Sequence, residues 1–67
     1  MSLVKIFAKN ITTARAARNM SQAELAKKVG ISTSYVSMLE RGRRVPPLPT
    51  VEKVAKALKK SPVEMLT

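Results

Sequence analysis

Few side chains in this sequence can carry chemistry. It contains no histidine and no cysteine, and its four acidic residues are all glutamate. The commonest general base, the thiolate nucleophile and the commonest metal ligands are therefore excluded. There is no glycine-rich phosphate loop and no pair of acids spaced for acid–base work, so neither catalysis nor a cofactor, metal or small-molecule ligand is expected. What remains is hydroxyls and cations. They concentrate in the run Ser32-Thr33-Ser34-Tyr35-Val36-Ser37-Met38-Leu39-Glu40-Arg41 and in Arg43 and Arg44 just after it.

On a helix with about 100° per residue, Thr33, Ser34, Ser37, Met38 and Arg41 fall within an arc of roughly 140°. Val36 and Leu39 lie on the far side, and Tyr35 on the boundary. The outward arc is small, polar and basic, with no acid. A helix that enters a groove about 12 Å wide and lined by phosphates needs such a face. Thr33, Ser34, Ser37 and Met38 are thus candidates for base contact. Their hydroxyls donate or accept at base edges, and the methionine can lie against a thymine methyl. None of the four forms the paired hydrogen bonds that Arg, Asn or Gln can, so DNA shape is expected to supply part of any selectivity. The plain alternative for Ser37 is a solvated helix position.

Arg41, Arg43 and Arg44 are placed for backbone phosphates, the alternative being a solvated loop. The hydroxyl of Tyr35 can reach outward to a phosphate, or the ring can simply cover the core. Gln22, at a helix start, suits a phosphate clamp or is an ordinary polar residue there. Thirteen Lys and Arg against four Glu give a net charge of +9, which attracts polyanions.

Helices must position these groups. No β-strand alternation occurs, and helical periodicity recurs along the chain. A first helix is expected from Leu3 to Arg18, with Leu3, Phe7, Ile11 and Ala14 on its inner face; Asn19 ends it by tolerating the left-handed conformation. Ser21-Gln22-Ala23-Glu24 is a capping box that opens a second helix, with Leu25, Ala26 and Val29 inward and Gly30 as its stop. Ser32 caps the third helix, Thr33 to Arg41, and Gly42 stops it. After a loop from Arg43 to Pro47, a fourth helix buries Leu48, Val51, Val54, Ala55 and Leu58. Ser61, Pro62 and Glu64 open a short fifth helix. The apolar Val63, Met65 and Leu66 in it either complete the core or form a dimer surface. Ala26 at a close approach, Gly30 at a tight turn, and Val36 and Leu39 as inner anchors make a helix-turn-helix pattern. Residues 1–67 therefore read as one all-α domain of five short helices. No signal core or membrane span is visible, so the cytoplasm is the expected location.

From Phe7 to Leu66 the sequence resembles the phage repressor/Cro, or Xre-type, helix-turn-helix family. The matching pieces are Ile11-x-x-Ala14-Arg15-x-x-Arg18-Asn19-Met20-Ser21-Gln22, Glu24-Leu25-Ala26-x-x-Val29-Gly30-Ile31-Ser32, Val36-Ser37-x-Leu39-Glu40-Arg41-Gly42-x-Arg44-x-Pro46, and Val54-Ala55-Lys56-Ala57-Leu58. The Tyr35-Val36-Ser37 run is similar to restriction-modification controllers within it. The resemblance implies a lambda-repressor-like fold, sequence-specific binding of double-stranded DNA for transcription regulation, and a homodimer on a palindromic operator. It implies base reading by Thr33, Ser34, Ser37 and Met38. It further implies that Gln22 braces the recognition helix and touches phosphate, and that Arg15 and Glu40 form a partly buried ion pair. Glu40, near a helix end where the dipole disfavours an acid, independently calls for a nearby cation. Asn19 and Lys59 stand where the family usually has glycine, and Lys60 replaces an apolar residue. The rival reading is an antitoxin-type protein-interaction module that masks a partner and autoregulates.

Overall fold

The computed structural model describes residues 2–67. Five α-helices follow one another: α1 (Leu3–Ala17), α2 (Gln22–Val29), α3 (Thr33–Glu40), α4 (Leu48–Ala57) and α5 (Pro62–Met65). Each start has a local cause. The hydroxyls of Ser2, Ser21, Ser32 and Ser61 accept from backbone amides of the first turns of α1, α2, α3 and α5. At α2 and α5 the carboxylates of Glu24 and Glu64 return the bond to the cap amide, completing both capping boxes. Helix α4 has no side-chain cap; Pro47 precedes it, and Pro49 falls in its first turn.

The helix ends share one device. Asn19, Gly30, Gly42 and Lys59 all have positive φ, between 53° and 82°. The amide two residues past each of α1, α3 and α4's cap then turns back, as in Met20 N–H to Arg15 O at 3.0 Å and Lys60 N–H to Ala55 O at 2.9 Å. A side chain at Gly30 would meet nothing, so glycine is needed there for its dihedral alone. Asn19 and Lys59 take the same conformation with a side chain, at some cost.

The core gathers Phe7, Ile11 and Ala14 from α1, Leu25 and Ala26 from α2, and Val36 and Leu39 from α3. Val51, Val54 and Ala55 from α4, with Leu58 and Met65, complete it. Helix α3 packs between α2 and α1, while α5 closes the far side against α1 and α4. Asn10 ties that end down: its side-chain amide donates to the Met65 carbonyl at 2.8 Å.

Three apolar expectations need correction. Leu3 is 62% exposed and Leu48 is 73% exposed, so neither belongs to the buried stripe of its helix. Each stands at the first position of its helix and lines an open apolar groove with Phe7 and Val51, where nothing covers it. In α5, Met65 is only 1% exposed and is core, which removes it from any dimer surface; Val63 is 74% exposed and Leu66 is half-buried. No described helix is long and apolar enough to cross a membrane.

Candidate nucleic-acid interface

Helices α2 and α3 meet at the Gly30 turn and place α3 across the surface. Burial of Val36 and Leu39 fixes its rotation. Thr33 and Ser34 are then exposed in its first turn, with Ser37 and Met38 half-buried one turn later. These four side chains share the outward side. Tyr35 is half-buried and packs against the core with its ring. Arg41, the C-cap of α3, and Arg43 and Arg44 beyond it are exposed. The Arg41 Nε donates to the Ser37 carbonyl at 3.4 Å, which lays its stem along the helix.

Behind this face lies one polar network. Arg15 Nε donates to Glu40 Oε2 at 2.6 Å and its Nη2 donates to Oε1 at 3.0 Å, a forked pair between α1 and α3. Arg15 Nη1 also donates to the Met20 carbonyl at 2.8 Å, beyond the end of α1. Gln22 Nε2 reaches Glu40 Oε1 at 3.1 Å from the start of α2. The Glu40 side chain is 7% exposed. Burial pushes its carboxyl up, but hydrogen bonds from Arg15 and Gln22, with the arginine charge, outweigh burial and hold it below the ordinary carboxylate value. The Glu40 hydrogen bond raises Arg15 in turn. Gln22 is thus turned toward Glu40 and is half-buried rather than projecting freely from α2.

The cation distribution holds something periodicity along single helices does not reveal. Lys28 from α2 and Lys53 and Lys56 from α4 line one shallow groove over Val29 and Ala57. None of the outward residues of α3 borders it. Only the packing of α2 against α4 brings these lysines together. A second groove, with no charged residue, is lined by Leu3, Val4, Phe7, Val45, Pro46, Leu48, Val51 and Leu66. The exposed Leu3, Val45 and Leu48 form its edges.

A helix-turn-helix family model matches residues 11–65. An uncharacterised HTH-type transcriptional regulator from Sinorhizobium fredii, y4dJ, is 37% identical over the whole chain and 87% of its own length. The crystal structure of the restriction-modification controller protein C.AhdI from Aeromonas hydrophila superposes with a TM-score of 0.88 at 35% identity, over 92% of this chain and 94% of that one. That of SinR, a master regulator for biofilm formation in complex with DNA, superposes with a TM-score of 0.85 at 32% identity, over 91% and 98%.

Proposed function

The chain belongs to the helix-turn-helix family, and on that premise we propose that it regulates transcription by binding duplex DNA with α3 in the major groove. One observation carries the reading: the outward side of α3 exposes only small hydroxyls, one methionine and arginine, on a protein of net charge +9. Thr33, Ser34, Ser37 and Met38 face base edges. Arg41, Arg43 and Arg44 neutralise phosphates, joined by the hydroxyl of Tyr35. Gln22 acts mainly as a brace on Glu40, with its second amide hydrogen left for a phosphate. Binding carries no catalytic step.

A single short helix makes few base contacts, so specificity calls for two copies on a two-fold operator, with half-sites about 10 bp apart. The apolar end of the molecule supports that pairing. Leu66 lines the groove edged by Leu3, Val45 and Leu48, and Val63 is exposed on the same short helix end. In a chain this basic, an uncharged surface is where a second copy approaches with least repulsion.

Selection of bound fragments from random duplexes, at two salt concentrations, tests the proposal. An enriched palindrome and an affinity that falls steeply with salt are expected. Absence of any enriched sequence would refute it.

A further inference from the structure

Helix α2 packs on both α3 and α4, so the groove lined by Lys28, Val29, Lys53, Lys56 and Ala57 opens on the side of α2 turned away from the reading helix. All three lysines are exposed. Arg15–Glu40 is the only ion pair among the described residues, so no carboxylate pairs with any of them. Glu24, one turn before Lys28, feels its charge but turns an oxygen to the Ser21 amide. Glu52, one turn before Lys56, does not line the groove. Lys53 and Lys56 stand one turn apart on α4, and like charges at that spacing oppose helix formation. The packing of two helices thus collects three cations that the fold leaves unpaired. We infer that this groove docks an acidic segment of a partner protein while α3 holds DNA. The inference rests on the DNA-binding reading above only for where the duplex lies.

Several anionic partners could meet three cations, and the shape of the groove separates them. The axes of packed helices lie about 8–10 Å apart, so the groove seats a single chain, and a duplex can only ride over its rims. Single-stranded nucleic acid is held by stacking bases on aromatic rings. The chain has two aromatic residues, Phe7 in the core and Tyr35 on α3, and neither lines the groove. An anionic membrane surface needs large apolar side chains that reach out beside the cations. The exposed ones of the described chain, Leu3, Val45, Leu48 and Val63, all lie elsewhere. A protein segment remains. Val29 and Ala57 make a half-buried apolar floor between cationic rims. That floor matches a segment with small apolar side chains along one stripe and Glu or Asp on both flanks. Lysine stems can lie along such a segment while their ammonium groups meet its carboxylates. The field of a protein of net charge +9 speeds the encounter. A regulator whose second cationic surface stays open on the operator can hold an acidic protein there, which adds recruitment to simple occupancy of the site.

The probe is a synthetic helical peptide with alanines and leucines along one stripe and glutamates on both flanks; a permuted peptide of the same composition is the control. Each is titrated, at physiological ionic strength, into isotope-labelled protein bound to a selected duplex and followed by amide NMR. Amides of Lys28, Val29, Lys53, Lys56 and Ala57 should shift saturably, those of Thr33, Ser34 and Arg43 should not, and the duplex should stay bound. An exposed charge pair is worth a factor of about 1.4–5, so the triple variant Lys28→Gln, Lys53→Gln, Lys56→Gln should bind the peptide about tenfold more weakly. The same variant should melt no lower than the parent protein and keep its salt slope on the duplex. No saturable binding, equal binding of the permuted peptide, or undiminished binding by the triple variant overturns the inference. So does a salt slope lowered by about 1 per lysine, which would make the groove part of the operator contact. If no duplex is enriched, the DNA-binding reading falls, while the peptide titration on the free protein still decides the groove.

Discussion

Replacing Arg15 by alanine strands the Glu40 carboxylate. Three hydrogen bonds disappear: two to Glu40 at 2.6 and 3.0 Å, and one to the Met20 carbonyl at 2.8 Å. Glu40, 7% exposed in the intact protein, keeps only Gln22 and the Thr12 hydroxyl as partners. Breaking a buried pair on one side costs about 3–5 kcal/mol, mostly as an uncompensated charge. At roughly 0.05–0.15 kcal/mol per residue, a chain of this length has only about 3–10 kcal/mol in total. Arg15→Ala should therefore lose a large share of its stability, and urea titration followed by circular dichroism would measure the loss. The double variant Arg15→Met, Glu40→Leu should recover most of it, since an apolar pair of similar volume is commonly as stable as the ion pair. Acid supplies an independent readout. In the parent protein Glu40 is held below its ordinary value, so its contribution is complete above that value and fades as pH falls through the lowered one. In Arg15→Ala burial remains, opposed only by the hydrogen bonds from Gln22 and Thr12. The carboxyl then rises, and protonation relieves the penalty. The stability gap between the two proteins should narrow as pH approaches about 4. A loss under about 1 kcal/mol, or a gap independent of pH, would refute the view that Glu40 is buried as a charge.

Other expectations follow from single features. Lys59→Gly and Asn19→Gly should each stabilise by up to about 1 kcal/mol, read as a rise of several degrees in melting temperature, because both residues hold positive φ with a side chain. Arg43→Ala and Arg44→Ala should weaken binding to all duplexes alike and lower the slope of log affinity against log salt by about 1 each, without changing the enriched sequence. Ser21→Ala removes the acceptor for Glu24 N–H at 3.0 Å and should cost about 1 kcal/mol in urea melts. Leu48→Asp should abolish dimerisation in sedimentation velocity while leaving the melt of the monomer nearly unchanged, since Leu48 is exposed.

Local signals in the sequence were readable and positional ones were not. Ser21-x-x-Glu24 and Ser61-x-x-Glu64 place helix starts because both partners of each box lie within one turn. Rotation of α3 followed from Val36 and Leu39, whose spacing leaves one inner side. Leu3 and Leu48 misled because periodicity assigns a side without knowing where the covering surface stops. Helix α5 has four residues, too few for a period to separate Met65 from Val63. The Asn10 clamp on the Met65 carbonyl had no local sign at all, since its partner is 55 residues away. For the same reason the grouping of Lys28 with Lys53 and Lys56 depends on how α2 meets α4.

The Arg15–Glu40–Gln22 network also bears on why so small a protein can present a defined reading face. Helices α2 and α3 bury few side chains, Leu25 and Ala26 from one and Val36 and Leu39 from the other, and apolar contacts are not directional. Glu40 sits at the last position of α3, and its carboxylate is held by donors from α1 and from the first residue of α2. The forked arginine contact fixes direction as well as distance. The Gln22 bond joins the start of one helix to the end of the other, the two points where a change of crossing angle moves atoms farthest. Gln22→Ala should therefore separate orientation from stability. It leaves the arginine pair intact, so the loss in urea melts should stay near 1–2 kcal/mol, in the range of one hydrogen bond to a charged group. Discrimination between the selected duplex and a scrambled one should drop by a larger factor than affinity for the scrambled one. Equal losses on both duplexes would mean that Gln22 acts on DNA as a phosphate contact and not on α3 as a brace.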